Sequence, residues 1–421
     1  MDKIKKIAKT LWKKGLIHIL AGSFLSKLVT FFGSIFIVNV LTKREYGVLS
    51  YLENLYGYFF IFAGMGLSNS ILRYVVLGES DHEKYSYYSY SYRKSFIWNL
   101  LLVIVAEVIC YLYPHPSAYQ NYRWLILVMV TMLPFQYAVD NVLCNERAMF
   151  ANQRYAVLSL LFSLGIIISK VISGSMMGIT GVVFSQVFVY LVLAIIYLYI
   201  EKKKYYSSCV YKKLPRDKKH ELDVYAFQYM ITNGLWAFFM LNDTFLLGKF
   251  CTPEIVAEYK VAYTIPGSVT LISSAVGIFV APYFVKYQED REWVKINYFK
   301  VFILNAALVG ILCLFIAIFS PYIIGILYGD EYLEIVRIMR ILLLAAFLNC
   351  GLRFTTANIL AAMGQVKYNM YISLVGTVLQ ILLNLYSIPI YGLVGVAITS
   401  CLVYGMMAIV LFVIFKRKYY R

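Results

Sequence analysis

A chain of 421 residues that is 61% hydrophobic and only 14% charged has too little polar surface for a soluble domain, which runs at about 45–50% apolar and about 25% charged. The net charge is +17. The basic residues fall in short loops between apolar runs, which favours an anionic membrane surface and argues against nucleic acid as the partner.

Residues 1–14 are basic and suit an interfacial amphipathic helix. The first apolar run then reads as a span rather than a signal peptide, because it is too long and has no convincing cleavage site. Crossing the hydrocarbon takes about 20 apolar residues. Six runs satisfy this before the middle of the chain: 16–41, 48–77, 95–113, 122–144, 155–176 and 180–200. Six follow: 224–249, 259–284, 299–319, 335–360, 367–388 and 392–415. Each must be helical, since lipid offers the backbone no hydrogen-bond partner.

Between the two sets lies a basic linker, 201–223, with eight Lys or Arg. The chain therefore divides into a six-helix lobe at 1–200, this linker, and a second lobe at 224–421. Lys and Arg in the connecting segments and at the span ends beside them number twenty-eight on the side of the termini and four on the other. The positive-inside rule puts both termini and the linker in the cytoplasm. The run YSYYSYSY at 85–92 alternates with period two, and reads as a tyrosine-rich interfacial belt beside Arg93 and Lys94.

The halves repeat. Ala148-Met149 matches Ala362-Met363, and a glycine turn follows in each: Gly178 and Gly181 in the first, Gly392 and Gly395 in the second. Lys202 follows Gly181 at the same distance as Lys416 follows Gly395. Six helices per copy is an even number, which implies parallel repeats about an axis along the membrane normal. The fold class is an all-α polytopic membrane protein with about twelve transmembrane helices in two such lobes. The architecture suits alternating access.

Chemistry of the soluble kind is absent. No phosphate loop, nucleophile elbow, His-Glu-x-x-His or dinucleotide fingerprint occurs. Cys110, Cys144, Cys209, Cys251, Cys313, Cys350 and Cys401 are scattered, and His18, His82, His115 and His220 share no ligand spacing. Neither an enzyme nor a cofactor or metal site is expected.

Charges inside spans are costly and mark candidate sites. They are Lys27, Glu53, Glu107, Asp140, Lys170, Asp243 and Arg353. Lys27, Asp243, Arg353 and Lys170 form the candidate cleft, with Arg73 and Arg154 at its cytoplasmic rim. A central cation pairs well with phosphate or carboxylate. The bland alternative is structural, and it weighs most for Glu53, Asp140 and Lys170: ion pairs and snorkelling side chains. For Arg353 that alternative is a pair with a carboxylate such as Asp243.

Four stretches carry a family resemblance: Leu41–Ser50 (LTKREYGVLS), Asn242–Gly248 (NDTFLLG), Ala362–Lys367 (AMGQVK) and Asn384–Ala397 (NLYSIPIYGLVGVA). In their order and spacing the chain resembles the polysaccharide-biosynthesis flippases of the multidrug/oligosaccharidyl-lipid/polysaccharide exporter superfamily, which include O-antigen and capsule repeat-unit flippases. The resemblance implies a transporter of undecaprenyl-pyrophosphate-linked oligosaccharide in a bacterial cytoplasmic membrane. Its partners would be that lipid-linked oligosaccharide, anionic lipid, a glycan polymerase and glycosyltransferases. The alternative within the same superfamily is a cation-coupled multidrug antiporter.

Overall fold

The computed structural model describes residues 16–420, with side chains from residue 25 onward. The expected amphipathic helix at 1–14 lies outside the described residues. The helices are α1 (Leu16–Val40), α2 (Lys43–Ile61 bent into Ala63–Leu77), α3 (Asp81–Leu112) and α4 (Ser117–Val130 bent into Leu133–Ala148). Legs α5 and α6 share Asn152–Tyr205. Then come α7 (Arg216–Phe250), α8 (Pro253–Lys286), α9 (Arg291–Tyr328) and α10 (Asp330–Ala362), and legs α11 and α12 share Val366–Tyr419. The described residues thus form twelve helical legs and no strand. Six of these helices are long and apolar enough to cross a membrane, and two bent pairs are so together.

Each 54-residue helix turns back on itself at one glycine. Gly178 has φ 58 and ψ −147, and Gly392 has φ 52 and ψ −126. Side chains scarcely tolerate such angles. The reversal shows in contacts that a straight helix cannot make. Ser173 and Ser185 hydroxyls meet at 2.7 Å, and the Tyr197 hydroxyl donates to the Leu158 carbonyl at 2.7 Å. Ser387 and Thr399 meet likewise at 3.2 Å in the second hairpin.

Adding 214 to a residue number maps one hairpin onto the other, Asn152 to Val366, Gly178 to Gly392 and Tyr205 to Tyr419. The same shift holds for the turn before each hairpin. Ala151 N donates to Glu146 O at 2.9 Å, and Gln365 N to Leu360 O at 2.8 Å. At its left-handed position stand Phe150, φ 56, and Gly364, φ 76. The sequence repeat is a repeat of backbone geometry.

The chain forms two compact units: residues 1–45 with 52–234, and 46–51 with 235–421. In the first, α3 begins well before its apolar run. Ser80 caps it by accepting from Glu83 N, and the helix continues through the tyrosine stretch. That stretch is no lipid-facing belt. Tyr87 and Tyr88 are buried with Ser86, Ser89 and Ser91, against Tyr206, Leu214 and Leu222. The linker is clipped over it: Val210 N donates to His82 Nδ1 at 3.2 Å, and Lys212 N to Ser86 Oγ at 3.1 Å. Lys94 pairs with Asp223 at 2.6 Å. The bend in α2 frees backbone groups, and side chains take them up: Asn99 accepts from Gly64 N, and Trp98 donates to Phe62 O.

Candidate functional site

Each unit buries a polar centre. In the second unit it is Asp243 on α7, 7% exposed. Its Oδ1 accepts from Gln380 Nε2 at 2.7 Å and Asn384 Nδ2 at 2.6 Å, both on α11 and one turn apart. Its Oδ2 accepts from the Tyr259 hydroxyl on α8 at 2.9 Å, with the Ser400 hydroxyl of α12 at 3.5 Å. Four neutral groups from three helices thus hold one carboxylate. The amide oxygens of Gln380 and Asn384 have no partner among the described residues. Such an oxygen-rich set suits a hard monovalent cation or a proton.

Arg353 lies close by in the same unit, but does not pair with Asp243. Its Nη1 donates to Asn349 Oδ1 at 2.9 Å, and its guanidinium stacks over Trp236, 4.6 Å from the ring centre. Trp236 stacks in turn on Phe239. Arg353 is 7% exposed, its Nε has no partner, and among the described residues no carboxylate neutralises it. It ends a π-helical stretch, Phe347–Arg353, in α10. The wider turn frees carbonyls, and neighbours satisfy them. Ser273 and Asn305 both donate to Cys350 O at 2.9 Å, and Asn305 also to Gly351 O at 3.1 Å. Such insertions often mark functional positions. An open pocket is lined by Asp243, Tyr259, Lys260, Tyr263, Asn349, Cys350 and Tyr404 among others. Asn349 therefore links the guanidinium to the cavity that Asp243 faces.

The first unit's centre is an ion pair. Lys170 on α5 donates to Glu53 Oε1 on α2 at 2.6 Å. Beside it the Tyr56 hydroxyl donates to Gln136 Oε1 at 2.6 Å. Of the other sequence candidates, Lys27 is exposed on α1, and Glu107 and Asp140 are half-buried. Arg73 is exposed with its guanidinium 4.8 Å over Tyr225. Arg154 pairs with Glu146 at 2.7 Å. The pairing of Lys170 follows the structural reading; the Arg353–Asp243 pair expected under that reading is not formed.

Sequence reasoning missed Gln380, Tyr259, Trp236, Glu146 and Glu201. Gln380 and Asn384 are spaced i, i+4 in an apolar run, the signal of one polar stripe on a helix. Tyr259 and Trp236 gave no signal distinct from the many other aromatics.

Repeated apolar helices of spanning length around buried charges make this a polytopic membrane protein. Residues 11–288 match the family described as polysaccharide biosynthesis protein, and 229–386 match the MatE family. The chain belongs to the polysaccharide biosynthesis protein family, within the superfamily that its sequence resembles. It is 24% identical to "Uncharacterized membrane protein MJ1068" of Methanocaldococcus jannaschii, over 94% of this chain and 82% of that one. It is 22% identical to "Probable low-salt glycan biosynthesis flippase Agl15" of Haloferax volcanii, over 42% of this chain and 38% of that one. The solved structure "Lipid II flippase MurJ, inward closed conformation" superposes with a TM-score of 0.74, covering 95% of this chain and 87% of that one at 14% identity. At that identity the likeness establishes the fold. The chain is a multi-pass transporter, not an enzyme.

Proposed function

We propose that this protein flips undecaprenyl-pyrophosphate-linked oligosaccharide repeat units across a bacterial cytoplasmic membrane by alternating access, for surface polysaccharide assembly. The observation that carries the reading is Arg353: a buried guanidinium, next to aromatic and amide side chains, whose Nε has no partner and which no carboxylate pairs with among the described residues. A cationic drug would be repelled there, whereas a phosphate or acidic sugar would complete the fork. The lipid tail stays in the bilayer while the headgroup visits the polar interior, and Tyr and Asn side chains bond its hydroxyls. Asp243 is the residue through which an ion gradient acts. The basic linker faces anionic lipid on the cytoplasmic side, and glycosyltransferases and a polymerase act before and after.

Deletion of the gene is the test of class. It should halt surface glycan and accumulate the lipid-linked intermediate on the cytoplasmic side. The second reading, a cation-coupled multidrug antiporter, is favoured by the MatE match and by Asp243. It requires normal glycan with altered resistance to cationic compounds, and that result would reject the first reading. Arg353→Ala should lose most transport at unchanged protein level, and Arg353→Lys should keep part of it. Orientation is read by single cysteines at Ser117, Asp330 and Lys218, all exposed. The first two should label from outside intact cells and the third should not.

A further inference from the structure

A second buried acidic group lies at the end of the first unit where the linker begins. Glu146 ends α4 and is fully buried; Glu201 lies near the end of α6 and is 1% exposed. The group's polar neighbours among the described residues come from α3, α4, α5 and α6. Arg154 of α5 holds Glu146 Oε1 at 2.7 Å, and the Tyr205 hydroxyl donates to Glu146 Oε2 at 2.9 Å. Asn145 donates a short hydrogen bond to Glu201 Oε1, and the Tyr206 hydroxyl donates to Asn145 Oδ1 at 2.9 Å. From α3, Tyr88 stacks on Tyr206, its buried hydroxyl unpartnered. Arg147 is occupied over Tyr155, and Lys204 over Tyr205.

Among the described residues Arg154 is the cation that touches the group, and it pairs with Glu146. Glu201 has no cation in contact among the described residues, and burying it ionised is costly. Among the described residues two oxygens lack a hydrogen bond: Glu201 Oε2, and Glu146 Oε1, whose contact with Arg154 is an ion pair without hydrogen-bond geometry. The two side chains share one pocket: Asn145, next to Glu146, holds Glu201, and Tyr205, on the helix of Glu201, holds Glu146. Two carboxyl groups can bond only if one carries a proton. A single proton on Glu201, directed at Glu146, gives both oxygens their missing partner.

The second unit shows that packing does not demand this arrangement. At the positions 214 residues on stand Leu360 and Phe415, both fully buried. The same helix ends pack there with no carboxyl at either position.

We propose that Glu146 and Glu201 form a proton-binding site that holds one proton between them and so ties the end of α4 to the end of α6 at the root of the linker. Glu201 carries the proton, Glu146 is the ionised partner of Arg154, and the group as a whole is neutral. Removing the proton would set two carboxylates against one guanidinium and part the helix ends. The site is independent of the cargo.

The test is infrared spectroscopy of the full-length protein reconstituted in lipid bilayers at neutral pH, read in the carbonyl-stretch region of protonated carboxyls. Glu201→Gln keeps the shape and a donor toward Glu146. It should fold and lose one carboxyl's intensity from that region. The double variant E146L/E201F borrows the second unit's residues; it should also fold and show the same loss. Glu146→Gln should retain the band, because Glu201 then has still less reason to ionise. Unchanged intensity in folded Glu201→Gln or in folded E146L/E201F would overturn the proposal. So would failure of both to fold, which would make the carboxyls part of the packing rather than a proton site.

Discussion

Lys170 in the first unit and Asn384 in the second occupy the same place in the repeat, 214 positions apart, and each contacts a carboxylate from another helix. Gln186 and Ser400 correspond in the same way, as do Tyr190 and Tyr404. The first unit therefore closes its centre with a cation, Lys170 on Glu53. The second surrounds Asp243 with neutral donors and forms no ion pair with it among the described residues, although Lys260 lines the same pocket. A duplicated backbone fixes where a polar group sits, and one side chain decides whether that place is electrostatically closed. An ion pair is self-contained once desolvated. A carboxylate held by hydroxyls and amides remains responsive to whatever cation arrives.

The largest effect should come from removing the second unit's carboxylate. Asp243→Leu strands the donors of Tyr259, Gln380 and Asn384, each costing about 1–3 kcal/mol when buried and unpaired. The melting temperature of the purified protein should fall steeply, and Asp243→Asn should fall less. A stable Asp243→Leu protein would show that these donors find other partners, and the contrast between centres would collapse. Next come the hairpin glycines. Each substitution by Ala costs about 1–3 kcal/mol of backbone strain. At Gly178 a Cβ would also strike the Glu45 carboxylate, which caps α2 by accepting from Thr42 N; at Gly392 the space is open. Gly178→Ala should therefore melt lower than Gly392→Ala, and the reverse order would show that strain alone governs both.

A smaller loss is expected for Lys170→Met. Glu53 keeps a side-chain exposure of 40%, so stranding it should cost about 1–2 kcal/mol, less than the roughly 3–5 kcal/mol of a fully buried pair. Adding Glu53→Gln should restore stability. If single and double variants melt alike, the pair contributes no coupling and the first centre is not closed by charge. The smallest effect belongs to the linker clip. Lys94 and Asp223 are both partly exposed, so Asp223→Asn should cost at most about 1 kcal/mol. Limited proteolysis is the sensitive readout, and cleavage between residues 206 and 215 should quicken. An unchanged digestion rate would assign the linker's attachment to Tyr206 and Leu214 instead.

The spans were legible because lipid makes the question local. A run of apolar residues must satisfy its own backbone, so composition over about 20 residues decides it. The tyrosine stretch was misjudged for the same reason: its polarity ended the apolar run, whereas helix α3 continued beneath the linker. The glycine turns were legible because no other residue readily takes those angles. Among the candidate charges, Lys27 and Arg353 stood out by depth in their spans, yet Lys27 is exposed and only Arg353 is buried. Glu146 and Glu201 did not, since acidic residues beside basic loops look solvated.

By itself the sequence determined an all-helical membrane chain, its repeat, the glycines at which both hairpins reverse, and the family. Only the tertiary structure decided the partners. Glu53 is 117 positions from Lys170, and Asp243 is 137 from Gln380 and 141 from Asn384. Hydropathy is a property of neighbours along the chain, whereas compensation of a buried charge depends on whichever side chain the packing brings within 3 Å. That is why two hairpins with one backbone hold an ion pair in one unit and a carboxylate among neutral donors in the other.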